Sequence, residues 1–502
     1  MRPYILAHDL GTTGNKASLF DRTGRPIGSA FAGYPTSYPQ PGWAEQDPGD
    51  WWRAVCRSTR QLLAETGIGA GEIAVVSFSG QMMACLPVDG GGRPLRSAII
   101  WADQRATAEA TWMAERCGAE TVYRRTGHRF GPSYCAPKFL WFRRHAPDLF
   151  AQTHRFLQAK DYCLLQLTGQ YATDLSDASG TLLFDLATRR WAEDLFEAVE
   201  LDPALMPPAR PASTVAGEVT REAAAATGLA PGTPVTIGGG DGACATAGAG
   251  VVGKGDAYCY IGSSAWLSVI APEPLLDTRQ RTTNFAHLDP AYCLPMGSMQ
   301  CAGGAFGWFE ALLRGEQMGH IYAELDGAAA RVPPGAEGLL FLPHLMGERS
   351  PYWNPEARGA FVGLSLKHGR PEMARAVLEG VAFNLRQIME ALCEQGAQVP
   401  ALRLIGGGAK SALWRQIMAD VLGVPILKPT LLAEATSLGA AIAGGVGVGI
   451  WPGYLVARDL VPAVEAEAPR AEAQERYQAL YPLWQDAYRR LEGLFPELGR
   501  RA

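Results

Sequence analysis

Tyr4-Ile5-Leu6-Ala7-His8-Asp9, then Gly11-Thr12-Thr13-Gly14, then Lys16-Ala17-Ser18-Leu19-Phe20-Asp21 opens the chain. Apolar residues fill both flanks of the glycine-threonine centre, which reads as strand, tight turn and strand. The arrangement returns between Asp256 and Ile270, where Tyr258-Cys259-Tyr260-Ile261 leads into Gly262-Ser263-Ser264 and then Trp266-Leu267-Ser268-Val269-Ile270. The repeat predicts two related domains, and 502 residues exceed what one hydrophobic core ordinarily supports. We expect domains at 1–248 and 249–502, with the boundary falling between residues 245 and 255.

Around the hairpins the pattern alternates. Trp51 to Thr66 and Ala106 to Arg116 have helical periodicity, whereas Ile73 to Phe78 and Ser97 to Trp101 read as buried strands. In the second half, Pro371 to Gln395 and Ala412 to Gly423 read as helices around a short strand at Leu402 to Ile405. Glu472 to Leu494 is amphipathic, with a kink or interruption expected at Pro482. Such alternation indicates α/β domains built on mixed sheets.

Composition excludes several functions. A net charge of -5 with 45 scattered Lys and Arg gives no basic patch for nucleic acid or a membrane surface. Ten cysteines lie at irregular positions without a Cys-x-x-Cys pair, so they read as small buried hydrophobes in a reducing compartment. No signal-peptide apolar region precedes His8 and Asp9, and the expected location is the cytoplasm. Ala435 to Ala457 carries no charge, but its glycines and Pro452 predict a close-packed interior helix ending in a turn rather than a membrane span.

Three glycine turns follow short apolar strands: Gly11-Thr12-Thr13, Gly262-Ser263-Ser264 and Gly406-Gly407-Gly408-Ala409. Glycine permits close approach, and successive amides form a nest for anions, so the set favours nucleotide phosphate. Gly248-Ala249-Gly250-Val251-Val252-Gly253 matches a dinucleotide fingerprint in letters only, because it precedes a strand instead of following one and opening a helix. Asp241, in Ile237-Gly238-Gly239-Gly240-Asp241-Gly242, lies after a buried strand and before an alanine-rich helix. It serves either as a helix cap or as a general base beside a hydroxyl. Asp9, beside the first glycine turn, is placed to hold magnesium.

The same residues resemble the FGGY carbohydrate kinase family, and within it the xylulose-phosphorylating branch. Ala7-His8-Asp9-Leu10-Gly11-Thr12-Thr13 is similar to the family's first phosphate loop, and Gly42-Trp43-Ala44-Glu45-Gln46-Asp47-Pro48 to its early tryptophan segment. Ser79-Gly80-Gln81-Met82 and Ile100-Trp101-Ala102-Asp103-Gln104-Arg105 resemble the sugar-contacting segments. Lys160-Asp161-Tyr162 and Ala172 to Gly180 continue the match, as do Gly240-Asp241, Gly262-Ser263-Ser264 and Gly406 to Ser411.

The resemblance implies two ribonuclease-H-like domains of the actin and sugar kinase superfamily, with ATP and sugar in the cleft between them. It implies Asp241 as catalytic base, and Gln81, Met82, Met83, Asp103, Asp241 and Gly242 around the sugar. It places the nucleotide at Gly11, Thr12, Thr13, Lys16, Gly262, Ser263, Ser264, Gly303, Gly407, Gly408, Ala409 and Ser411, and Mg2+ at Asp9 and Asp241. The expected partners are a small-molecule sugar, ATP and a second copy in a homodimer, with no nucleic acid and no membrane. The chain departs from the pattern at Met83, where the branch usually has His, and at Gly242, where it usually has Asn. D-Xylulose is the first acceptor to consider; another ketopentose, a polyol or a deoxysugar is the alternative. A rival of another class is an actin-like ATPase scaffold or chaperone switch.

Overall fold

The computed structural model describes residues 2–314, 320–430 and 434–500. Its N-terminal lobe is built on β1 (Tyr4–Leu10), β2 (Gly14–Asp21), β3 (Pro26–Gly33), β4 (Ile73–Gly80), β5 (Val215–Glu218), β6 (Pro234–Thr236) and β7 (Gly239–Gly240). The sheet runs in the order β5-β6-β4-β1-β2-β3, and β7 also pairs with β4. β1 to β3 form an antiparallel meander, while β4 lies parallel to β1 and β6 parallel to β4. α1 (Pro48–Thr66) packs over β2 and β3, starting at Pro48 behind an Asp47 cap that accepts from the Gly49 amide.

The C-terminal lobe repeats the plan. β8 (Ala257–Ile261), β9 (Ala265–Val269), β10 (Thr283–Ala286), β11 (Cys293–Met299), β12 (Leu402–Ile405), β13 (Ile426–Pro429) and β14 (Ala463–Glu467) form a sheet in the order β10-β11-β9-β8-β12-β13-β14. Again an antiparallel meander, here β11, β9 and β8, is followed by parallel partners, β12 beside β8 and β13 beside β12. The two hairpins read from the sequence are therefore equivalent first hairpins of two like sheets.

Three helices matter for the site. α2 (Asp241–Gly248) follows β7, α3 (Gly303–Arg314) follows β11, and α4 (Arg370–Cys393) covers the C-terminal sheet. α5 (Ala412–Leu422) and α6 (Ala435–Gly447) follow β12 and β13. α6 is the uncharged stretch, and it lies almost wholly buried, as its glycines anticipated. It meets α2 backbone to backbone: a Cβ on Gly248 would stand 1.7 Å from the Ala435 carbonyl oxygen, and one on Gly439 would stand 1.9 Å from that of Cys244. Gly248 is thus a close contact between α2 and α6, which accounts for the first glycine of the false dinucleotide fingerprint. No helix among the described residues is long and apolar enough to cross a membrane.

Two expectations need correction. α7 (Ala471–Leu491) runs unbroken through Pro482, because Tyr477, Tyr481, Trp484 and Tyr488 are buried along one face and packing outweighs the lost backbone bond. The strand expected at Ser97 to Trp101 shrinks to Ala98–Ile99. There the Ile100 carbonyl accepts instead from the buried Lys138 ammonium at 2.9 Å.

Candidate active site

Register fixes the geometry. Asp9 pairs with Ser79 of β4, and Ser79 pairs with Gly239 of β7; one step on, Leu10, Gly80 and Gly240 are aligned in the same way. Asp241 follows directly as the first residue of α2. Asp9 and Asp241 thus stand at the same carboxyl-terminal edge, on elements two strands apart. Such an edge is where open α/β sheets bind ligands.

Asp241 is exposed to the cleft although protein surrounds it, and its Oδ1 accepts from the Gly242 amide at 2.7 Å. Enclosure, and then the charge of Asp9, raise its carboxyl from the ordinary 3.8 to about 7. Asp9 is half-buried and is also raised, first by burial and to a lesser extent by Glu434, while the Ser79 hydroxyl and Lys16 oppose the rise. The charge of Asp9 disfavours ionisation of Asp241, a cost that a divalent cation near both carboxylates would relieve. Among the described residues no cluster of three or more His, Cys, Asp or Glu side chains could hold a metal ion. Any Mg2+ here would therefore complete its shell with phosphate oxygens and water.

Two glycine turns meet at the end of β8, and Ser264 of that hairpin lines one cavity with Asp241. The Gly303 amide donates to the Gly262 carbonyl at 2.8 Å, and a Cβ on Gly303 would lie 2.3 Å from that oxygen, so α3 begins directly behind Ser263 and Ser264. Gly406 has φ 85°, and its Cβ position lies 2.6 Å from the Ile261 carbonyl oxygen. That conformation brings Gly407-Gly408-Ala409 against the end of β8. Ser411 caps α5 by accepting from the Trp414 amide at 3.0 Å and donates to Asp326 at 2.6 Å. In the other lobe Thr12 Oγ1 accepts from Trp101 Nε1 at 3.0 Å, which ties the first loop to the cleft wall. Lys16, expected at the nucleotide, makes an ion pair with Glu434 Oε1 at 2.6 Å, from β2 to the start of α6.

Beside Asp241 lies a cavity of about 420 Å³ lined from both lobes, by Met82, Met83, Trp101 and Gly242 on one side and Trp266 and Trp353 among those on the other. Gly240 admits Met82 closely, since a Cβ there would lie 2.7 Å from Met82 Cγ. Met83 has φ 64°, a strained value for a side-chain residue, and both its backbone groups are held. Its amide donates to Gln158 Oε1 at 2.6 Å and its carbonyl accepts from Lys138 Nζ at 2.8 Å.

Gln81 and Asp103, expected on the pocket wall, are instead buried behind it at 2% and 0% exposure. Gln81 donates to Gln46 Oε1 at 2.7 Å beneath the first phosphate loop. Asp103 accepts from Arg105 through Nε at 2.9 Å and Nη2 at 2.7 Å, and from the Ala44 amide at 2.6 Å. A carboxylate so fully engaged inside the lobe has no free oxygen for a ligand. The sequence reading missed Arg129, Tyr134, Arg349 and Trp353, all cavity residues. They sit in irregular segments, and only the Gly-Glu-Arg-Ser-Pro turn at 347–351, after a buried apolar strand, gave a local sign.

The comparisons agree with the two-domain fold. The chain is 34% identical over 483 residues to xylulose kinase of Escherichia coli (strain K12), covering 96% of this chain and 97% of that one. The crystal structure of gluconate kinase from Lactobacillus acidophilus superposes with a TM-score of 0.93 at 28% identity, covering 99% of each chain. That of xylulose kinase from Rhodospirillum rubrum gives 0.92 at 31% identity, covering 98% of this chain and 99% of the other. The family's N-terminal domain matches residues 4–248 and its C-terminal domain residues 257–448. The chain belongs to the FGGY family of carbohydrate kinases and is an ATP-dependent sugar kinase.

Proposed function

We propose that Asp241 is the general base of this kinase and that the acceptor is a terminal sugar hydroxyl, with D-xylulose, the substrate named for several relatives, as the first neutral candidate. The observation that carries this reading is the position of Asp241: first residue of α2, directly after the strand β7 that shares a sheet with the strand of Asp9, and open to a cavity that Ser264 of the second hairpin also lines. ATP takes Gly407-Gly408-Ala409 for its adenosine end, and its phosphates span Gly11-Thr12-Thr13 and Gly262-Ser263-Ser264, whose amides and hydroxyls donate to them. Bound magnesium supplies charge neutralisation at the phosphates, held by Asp9 and Asp241.

Asp241 accepts the proton of the acceptor hydroxyl as that oxygen forms its bond to the γ-phosphorus. The bond from that phosphorus to the β-γ bridging oxygen breaks in line, releasing ADP and the sugar phosphate. A carboxyl raised toward 7 is a stronger base than an ordinary aspartate and is still ionised in a useful fraction at neutral pH. Met82 and Met83 form the apolar wall of the acceptor cavity. Trp101 links that wall to Thr12, so acceptor and phosphate positions are coupled.

Asp241→Ala tests the reading. It should lower kcat by about 100-fold to 10,000-fold while ATP binding, followed by calorimetry, stays within a few-fold. Normal turnover by the variant would remove Asp241 from the chemistry.

A further inference from the structure

We infer that Ser176 is a positioning residue for the proposed base: its hydroxyl, held by Asp174 with the buried Lys160 behind it, fixes the Gly240 amide and thereby the direction in which Asp241 enters the cavity. The inference rests on the proposed role of Asp241 and deepens it.

Asp241 follows Gly239-Gly240, which make up β7. Two glycines in succession leave the backbone unusually free, so the aim of the next side chain depends on what holds them. Both lack a side chain because neighbours crowd them. A Cβ on Gly239 would lie 2.2 Å from Leu288 Cδ2 and 3.4 Å from Ser176 Oγ. The pairing of β7 with β4 ends at Gly240, and there the Gly240 amide donates to Ser176 Oγ at 2.9 Å. Ser176 also lines the cavity that holds Asp241.

The hydroxyl is a directed acceptor. Its own hydrogen goes to Asp174 Oδ2, which leaves its lone pairs for the Gly240 amide. A hydroxyl that donates to a carboxylate accepts more strongly than a free one, because the two bonds polarise each other. Asp174 is itself fixed. It caps the short helix Leu175–Ser179, where its Oδ2 accepts from the Ser176 amide at 2.7 Å and its Oδ1 from the Asp177 amide at 3.3 Å.

Lys160 anchors the arrangement from beneath. Its fully buried ammonium lies 2.7 Å from Asp161 Oδ1, 3.0 Å from Asp174 Oδ1 and 3.0 Å from Asp177 Oδ2. One cation among three buried carboxylates is costly to desolvate, and apolar residues commonly fill such a space with no loss of stability. Placement accounts for it better. A Cβ on Gly80 would lie 3.0 Å from Lys160 Cβ, and Gly80 is the register partner of Gly240, so the lysine stem supports the strand edge from which Asp241 departs. The same cluster reaches the acceptor wall. Gln158 donates to the Asp177 carbonyl at 2.9 Å and accepts from the Met83 amide at 2.6 Å. One buried network thereby sets both the base turn, through Ser176, and the wall opposite it, through Gln158.

The experiment measures turnover of D-xylulose, or of the best acceptor among pentuloses, pentitols and hexuloses, by Ser176→Ala, Ser176→Thr and Thr181→Val. Rates are expressed per folded site, counted by calorimetric titration with ATP. Thr181 is the control at the other end of the same helix, where its hydroxyl donates to the Ala178 carbonyl at 2.6 Å and accepts from the Leu183 amide at 3.2 Å. Ser176→Ala should lower kcat by about 30-fold while KM for ATP and for the acceptor stays within about threefold, since a misplaced base costs rate rather than binding. Ser176→Thr keeps the hydroxyl and should recover most of the loss, and Thr181→Val should keep kcat within about threefold of wild type. An unchanged kcat in Ser176→Ala, an equal fall in Thr181→Val, or a Ser176→Thr no better than Ser176→Ala would each overturn the inference.

A second arm separates this inference from the proposed function. In an Asp241→Ala background Ser176→Ala should cost no more than about twofold, because a residue that acts through Asp241 has nothing left to position. A second full loss in that background overturns the positioning role and leaves Asp241 as the base. Normal turnover by Asp241→Ala alone removes the proposed base, and the inference falls with it.

Discussion

The carboxylates of Asp9 and Asp241 share one cleft edge, and enclosure followed by the charge of Asp9 raises Asp241 from 3.8 to about 7. The coupling follows from the register that aligns β1, β4 and β7. Removing the Asp9 charge should therefore let Asp241 ionise at lower pH. In nucleotide-free protein without magnesium, carbon-13 NMR of the Asp241 carboxyl should show a lower midpoint in Asp9→Asn than in wild type. An identical midpoint would mean that enclosure alone sets it.

The raised carboxyl also links stability to pH. The native state holds the Asp241 proton up to about 7, whereas the unfolded chain releases it near 3.8. The native state thus binds more protons between these values, and the stability contributed by this group is complete below 3.8 and lost as pH rises through 7. Asp241→Asn cannot ionise, so its melting temperature should exceed that of wild type at pH 8 and approach it at pH 4. A variant that is less stable at pH 8 would contradict the sign. The expected gain at pH 8 in a variant that lacks the base is the familiar opposition between activity and stability.

Both hairpins and the Asp241 turn were legible in the sequence because each is local: an apolar run, a glycine turn, another run. The expected contacts of Gln81 and Asp103 were not, since whether a polar side chain faces a cavity or the interior depends on partners far along the chain. Gln81 finds Gln46, and Asp103 finds the Ala44 amide. Arg129 and Arg349 were missed for the converse reason, because they come from segments far apart in the chain that share only the lining of one cavity. Pro482 shows a third case, in which local propensity is read correctly and then overridden by an aromatic face buried along α7.

Lys138 is fully buried, and its ammonium donates to the carbonyls of Ser133 at 2.7 Å, Met83 at 2.8 Å and Ile100 at 2.9 Å. Burial lowers it to about 8. One side chain thereby fixes three segments around the acceptor wall, including the strained Met83. Lys138→Met should leave three carbonyls unsatisfied and cost about 3 kcal/mol or more of stability by chemical denaturation. In the folded fraction KM for the acceptor should rise severalfold while KM for ATP holds. A parallel rise in both would mean that Lys138 supports the whole lobe rather than this wall.

Met83 and Gly242 are the two positions where this chain lacks the polar groups usual in the xylulose-phosphorylating branch, and both line the cavity. A Cβ on Gly242 meets nothing within 4 Å, so a side chain there enters open space without a clash. Gly242→Asn combined with Met83→His should fold normally and present two hydrogen-bonding groups to the acceptor. Sites that pair acceptor hydroxyls with buried polar groups discriminate strongly for them. The double variant is expected to raise kcat/KM for D-xylulose by about tenfold, equivalent to ~1.4 kcal/mol of transition-state binding. The gain should appear mainly in the acceptor KM, because Asp241 and the phosphate turns are untouched. A lower value for D-xylulose in a stably folded variant would show that the apolar wall itself selects the acceptor.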